Sequence, residues 1–187
     1  MIQLIGLSGS LRQASFNTAL LKAAARMTPD DCHIDVHTIH GIPLYDADLE
    51  AREGIPPAVA QLKDAIAAAD GLLLATPEYN NSIPGVFKNA IDWLSRPADD
   101  IPRVFGGKPV AVIGASPGNF GTLLSQDAWL SVLRTLGTAP WFGGRLMASR
   151  AAHLFDAEGE LVDEAIRSRL QGFVTGFCHH VAGQRAA

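Results

Sequence analysis

The chain has 187 residues, 48% of them hydrophobic and 18% charged, with 15 Lys and Arg against 19 Asp and Glu for a net charge of −4. That length and apolar content fit one domain over 1–187 with a sizeable core. The weak negative balance gives no footprint for nucleic acid or an anionic membrane surface, and no apolar run approaches the ~20 residues of a membrane span. "MIQLIGLSGS" passes straight into a strand with no basic segment or cleavage site, so the expected compartment is the cytoplasm. Cys32 and Cys178 lie far apart in sequence and suggest neither a disulfide framework nor metal spacing.

Short apolar runs then alternate with helical patterns. "IQLIGL" reads as a buried strand, being too short and too uniformly apolar for a surface helix. From Phe16 to about Met27, Leu20, Leu21, Ala24 and Met27 recur at helical spacing, with Ser15 as N-cap. "HIDVHTI" alternates and reads as the second strand. Val59, Leu62, Ile66 and Ala69 step as a helix, "GLLLAT" is a third buried strand, and Phe87, Ala90, Ile91 and Leu94 mark the next helix. "PVAVIGAS" is the fourth strand, Leu124, Val132 and Leu136 fit a helix, and "GRLMAS" is the fifth strand. Val162, Ile166, Leu170, Phe173 and Phe177 stripe the last helix, while "IPPAV" and "RPADDIPRVFGGKP" read as loops.

Five β–α units with buried strands predict an α/β three-layer sandwich around a parallel sheet. Ligands of such folds bind beyond the carboxyl ends of the strands, where strand order reverses. That directs attention to "SGSLRQASFN", "TPEYNNSIPG" and "ASPGNFGT", the loops after strands one, three and four. The first lacks the third glycine of a dinucleotide fingerprint and the lysine of a Walker loop. It holds Ser10, Ser15 and Asn17 at a helix start with Arg12 beside them, more donors than one capping serine requires, and the composition suits a phosphate. In the second loop Pro77 and Pro84 stiffen the backbone and Tyr79 offers a flat face with a polar tip. In the third, glycines between Ser116 and Gly121 permit close approach to a ring. Glu78 has no identifiable partner and reads as surface or structural rather than as a general base. His33 and His37 stand four apart on a strand, which does not join metal ligands, and no metal site is expected.

Together "GSLRQASFN", "TPEYNNSIPGVFKNAIDWLSRP" and "GKPVAVIGASPGNFGT" resemble the signature blocks of the NADPH-dependent FMN reductase family, and "IPLYDADL" is similar to it as well. The resemblance implies a flavodoxin-like sheet of order 2-1-3-4-5. It implies that Ser10, Arg12, Ser15 and Asn17 hold the FMN phosphate, with backbone of Leu11, Gln13, Ala14 and Phe16 in the same loop. Pro77, Glu78, Tyr79 and Asn80 would line the flavin ring, with Ser116 approaching from the third loop. Asn81 stands where members often carry Gly or an aromatic residue. The chemistry implied is hydride transfer from NADPH or NADH to flavin N5 and on to a small-molecule acceptor: a quinone, a nitro or azo compound, or a metal oxyanion. No protein nucleophile or catalytic side chain is required. Two alternatives share the fold: a reductase supplying reduced FMN to a monooxygenase, and a flavodoxin-type electron carrier, for which the weak charge imbalance gives little steering field. The family also implies a homodimer or homotetramer. Phe87, Trp93, Leu94, Phe120 and Trp129 exceed what one sheet-facing stripe uses, and Trp93 is expected to reach a neighbouring subunit's ring.

Overall fold

Four full-length strands run parallel in the computed structural model, which describes residues 1–185; Ala186 and Ala187, the tail of the single-domain reading, lie outside the described residues. They are β1 (Ile2–Ser8), β2 (Cys32–Thr38), β3 (Gly71–Ala75) and β4 (Pro109–Ala115), in the order β2-β1-β3-β4. The fifth position is divided. β5 (Ala139–Pro140) pairs with the start of β4 at Pro109 and Val110, and β6 (Leu146–Ala148) pairs with its end from Ile113 to Ala115. The sheet therefore has the expected 2-1-3-4-5 order, with a sixth strand where one had been read. Ala139 N and Trp141 N donate to the Lys108 and Val110 carbonyls at 2.8 Å each, and the Trp141 ring turns onto Phe173 and Phe177 of the last helix, at centroid distances of 5.0 and 5.5 Å.

The helices are α1 (Phe16–Ala25), α2 (Ala47–Glu53), α3 (Pro57–Ala68), α4 (Gly85–Leu94), α5 (Ile101–Val104), α6 (Leu123–Thr135) and α7 (Glu164–Arg185). Alternation along the strands sends Leu73 and Ala75 into one core with Leu20 and Leu21 of α1 and Phe173 and Phe177 of α7. Leu72 and Leu74 enter the other, with Ile66 of α3, Phe87 and Trp93 of α4 and Trp129 of α6. α1 ends two residues before Met27. α2 and α5 were not read from the sequence, α5 lying inside a segment read as loop. Among the described residues no helix is long and apolar enough to cross a membrane.

Three expectations need correction. The buried face of α6 is Ser125, Trp129 and Leu133, whereas Leu124 is exposed. Trp129 sets that rotation: its ring packs edge-on to Phe87 at 4.8 Å and its Nε1 donates to Thr76 Oγ1 at 3.0 Å. Phe87, Trp93, Leu94 and Trp129 are not surplus, since all four are buried within the chain; of that group only Phe120, 79% exposed, remains on the surface. Trp93 donates Nε1 to the Pro43 carbonyl at 2.9 Å and meets Tyr45 at 5.0 Å, so the segment after β2 covers it rather than a second subunit. Finally, Cys32 and Cys178 form a disulfide across 146 residues, with Cα atoms 6.3 Å apart. β2 is the edge strand and α7 lies over the core it borders, a proximity that sequence distance conceals.

One charged cluster ties α3 to the segment before β4. Lys63, buried among apolar neighbours, places Nζ 2.7 Å from Asp100 Oδ2 and also donates to the Arg96 carbonyl. Arg103 grips the same carboxylate through Nε and Nη2 at 2.6 and 2.8 Å. The hydrogen bonds from Arg103 and then Lys63 hold the Asp100 carboxyl well below the usual carboxylate range. A lowered folded-state value stabilises above the unfolded value and is lost as pH falls through the folded one. Urea midpoints are accordingly expected to drop below about pH 4, the unfolded Asp range, and Asp100→Asn should flatten that acid limb. An acid limb of unchanged slope in Asp100→Asn would remove this cluster from the account.

Candidate functional site

β1, β3 and β4 end side by side, and each loop begins by extending the sheet. Gly9 N donates to the Ala75 carbonyl at 2.9 Å, Thr76 N to Ile113 at 2.9 Å and Ser116 N to Ala148 at 3.0 Å. A groove of about 120 Å³ opens among the three loops. It is lined by Ser10, Arg12, Ser15, Phe16, Asn17, Pro77, Glu78, Tyr79 and Ser116, all singled out from the sequence, and by Ala115 and Pro117, which were not. Pro117 follows Ser116 directly, and its ring next to a predicted contact was the available signal. Leu11, Gln13, Ala14 and Asn80 stand outside the lining; Gln13 and Ala14 border a neighbouring groove against residues 155–160.

The first loop is built around the start of α1. Ser15 caps it from an extended conformation, its Oγ accepting from Thr18 N at 3.2 Å. The N–H groups of Phe16 and Asn17, in the first turn, have no acceptor within the helix. Ser10 Oγ accepts from Arg12 N at 3.2 Å, and the Arg12 guanidinium lies over the Phe16 ring, 5.6 Å from its centroid. Among the described residues no carboxylate pairs with Arg12. Asn17 is buried, and its amide exchanges two 2.9 Å hydrogen bonds with the backbone of Ala115. Its side chain thus locks the first loop to the end of β4, and its backbone N–H is left to face a ligand. Gly9 is obligatory here: a Cβ would sit 2.0 Å from the Phe87 ring.

The second loop is a hairpin tip. Tyr79 and Ser82 exchange backbone hydrogen bonds of 3.1 and 3.0 Å, with Asn80 at φ 50° and Asn81 at φ 61° between them. Left-handed backbone at both central positions favours Asn and Gly, which accounts for Asn80 and Asn81. Glu78 does have a partner. Its Oε2 accepts from Leu124 N at 2.8 Å and Ser125 N at 3.0 Å, capping α6 with a negative charge at the positive end of the helix. Beneath it Thr76 Oγ1 meets Ser125 Oγ at 2.8 Å. The carboxylate is therefore committed to structure, and the groove keeps Arg12 as its full positive charge.

In the third loop Ser116 Oγ donates to the Gly121 carbonyl at 2.5 Å, closing a turn that leaves Phe120 at its tip. Arg150, itself left-handed at φ 52°, braces that turn by donating from Nε to Asn119 Oδ1 at 3.0 Å and from N to the Gly118 carbonyl at 2.9 Å. The groove thus pairs a cationic, donor-rich end with the exposed aromatic face of Tyr79, while Phe120 stands exposed on the third loop outside the lining.

Residues 2–153, which contain all three loops, match the family model described as NADPH-dependent FMN reductase. The chain belongs to that family. An NAD(P)H-dependent FMN reductase of Pseudomonas aeruginosa is 46% identical over 170 residues, covering 91% of this chain and 90% of the relative. A 2-hydroxy-1,4-benzoquinone reductase of a Burkholderia species is 40% identical over 177 residues, covering 95% and 94%. Among solved structures, a flavoenzyme NAD(P)H:(acceptor) oxidoreductase of Paracoccus denitrificans superposes with a TM-score of 0.84 at 36% identity, covering 98% of both chains. The family match stops before α7, so the Cys32–Cys178 bond joins the matched region to a helix outside it.

Proposed function

We propose that this chain is an NAD(P)H-dependent oxidoreductase that holds FMN at the carboxyl end of its sheet and reduces small-molecule acceptors, quinones first among them. The observation that carries this reading is the groove at which the first turn of α1 meets Arg12 and the second and third loops. Its donor set fits FMN. The Phe16 and Asn17 N–H groups, the Ser10 and Ser15 hydroxyls and the Arg12 guanidinium suit a phosphate dianion, and no free carboxylate opposes it, since Glu78 is bound to α6. Pro77, Glu78, Tyr79 and Ser116, which line the groove, supply the backbone and flat surface for the ring, with Asn80 at the adjoining hairpin tip. Bound FMN supplies the hydride chemistry between nicotinamide and acceptor.

The residues of the chain then act by placement. Arg12 and the helix start hold the anionic end, and the hairpin at Tyr79–Ser82 fixes the edge of the ring pocket. Tyr79 and Phe120 offer aromatic faces that exclude water and stack with a planar acceptor. Likeness to the benzoquinone reductase supports the quinone class. NADPH and NADH are both assigned as donors, and the cytoplasm, where they are supplied, as the compartment. Exposed Phe120, Leu124, Leu130 and Phe142 are the apolar surface that a homodimer or homotetramer would cover.

Calorimetric titration with FMN is expected to saturate at one flavin per chain, with weaker binding of FAD. Anaerobic NADPH or NADH should then bleach the yellow colour and a benzoquinone restore it. Absence of FMN binding, or colour that persists with both nucleotides, overturns the assignment.

A further inference from the structure

The turn after β2 sends one side chain back onto the first loop. His40 Nε2 lies 3.1 Å from the Leu11 carbonyl oxygen, and its Nδ1 lies 3.0 Å from Thr38 Oγ1. A carbonyl oxygen can only accept, so Nε2 carries the hydrogen, and in the neutral ring Nδ1 accepts from the Thr38 hydroxyl. Thr38 thereby selects the tautomer that His40 needs. The base of this brace is itself fixed: Ile39 is buried in the core, and the Pro43 carbonyl accepts from both Asn89 and Trp93 of α4.

The Leu11 carbonyl and the Arg12 N–H belong to one planar trans peptide and point in opposite directions. Anchoring the carbonyl on His40 turns the Arg12 N–H to the other side, where Ser10 Oγ accepts it at 3.2 Å. One contact thus keeps carbonyl lone pairs away from an anion in the groove and sets the Cα from which the Arg12 guanidinium reaches over Phe16. Released, that peptide could rotate and present its oxygen to the phosphate.

We propose that His40 is a positioning residue of the flavin-phosphate site, acting through the Leu11 carbonyl on Arg12, with Thr38 fixing its tautomer. The inference rests on reading the first loop as the FMN phosphate cradle. It assigns His40 no contact with flavin and no step in the reaction.

The test measures dissociation constants of FMN and of riboflavin, which lacks the phosphate, on apo-protein. His40→Leu is expected to raise the FMN constant about 3- to 10-fold, the size of one neutral hydrogen bond, and to leave riboflavin unchanged. His40→Gln, which keeps a side-chain donor, should restore most of the difference. The melting temperature of the apo-protein should barely move in either variant, because the site is exposed. Arg12→Ala run in parallel must lower the preference for FMN over riboflavin. If it does and His40→Leu weakens both flavins equally, or neither, the inference is overturned and the cradle stands. If Arg12→Ala leaves the preference intact, the cradle fails and this inference with it.

Discussion

Arg12→Ala is expected to weaken FMN binding by about 1.5–3 kcal/mol, a loss of roughly 10- to 150-fold in affinity. The size follows from what else the groove offers. The Ser10 and Ser15 oxygens already accept from Arg12 N and Thr18 N, which leaves each one hydroxyl hydrogen to donate. The helix start contributes partial charge only, equivalent to about half an elementary charge. Arg12 therefore brings the only full positive charge among the groove-lining residues, on a side chain that is exposed and already stacked on Phe16. Arg12→Lys should recover part of the loss, since an ammonium keeps the charge without the planar fork. Calorimetric titration of both variants decides the matter: an affinity unchanged in Arg12→Ala makes this arginine a surface residue.

Replacing both cysteines, Cys32→Ala with Cys178→Ala, is expected to lower stability by about 2–5 kcal/mol. The bond closes a loop of 146 residues' separation, long enough for the chain-entropy account to put the effect near its upper end. Both residues are nearly inaccessible, at 5% and 2% exposure, so the bond is shielded from small thiols in solution. For a chain of this size the change should appear as a fall of roughly 5–15 °C in melting temperature. FMN affinity should not change, because Cys32 begins β2 at the end of the sheet opposite the groove. A double variant that melts with the parent protein removes the staple; one that loses FMN affinity shows strain transmitted to the site.

The local features of this protein were legible in the sequence alone. Strands buried on both faces read as unbroken apolar runs, so β1, β3 and β4 stood out in "IQLIGL", "GLLLAT" and "PVAVIGAS". The Ser15 cap and the donors of the first loop lie within nine residues of one another, a distance over which side-chain type and backbone conformation are directly coupled. Alternation of strands with helices then implied the parallel sheet and the end at which the site had to form.

What only the tertiary structure decided depends on contacts between segments remote in sequence. Asn17 read as a phosphate ligand by composition, yet its amide is engaged by Ala115, 98 residues away. Glu78 looked unpartnered because the N–H groups it caps lie 46 and 47 residues on. Trp93 and Trp129 looked surplus because helical spacing shows how wide an apolar face is, not what covers it; Pro43, Tyr45 and Thr76 do. The fifth position is divided where the chain leaves β4 after Trp141, whose N–H still bonds the Val110 carbonyl while its ring packs on the aromatic rings of α7. The disulfide, likewise, requires that α7 reach the start of the edge strand. Periodicity reports one element's own geometry, whereas hydrogen-bond partners and burial are properties of pairs of elements, and those exist only once the chain has closed.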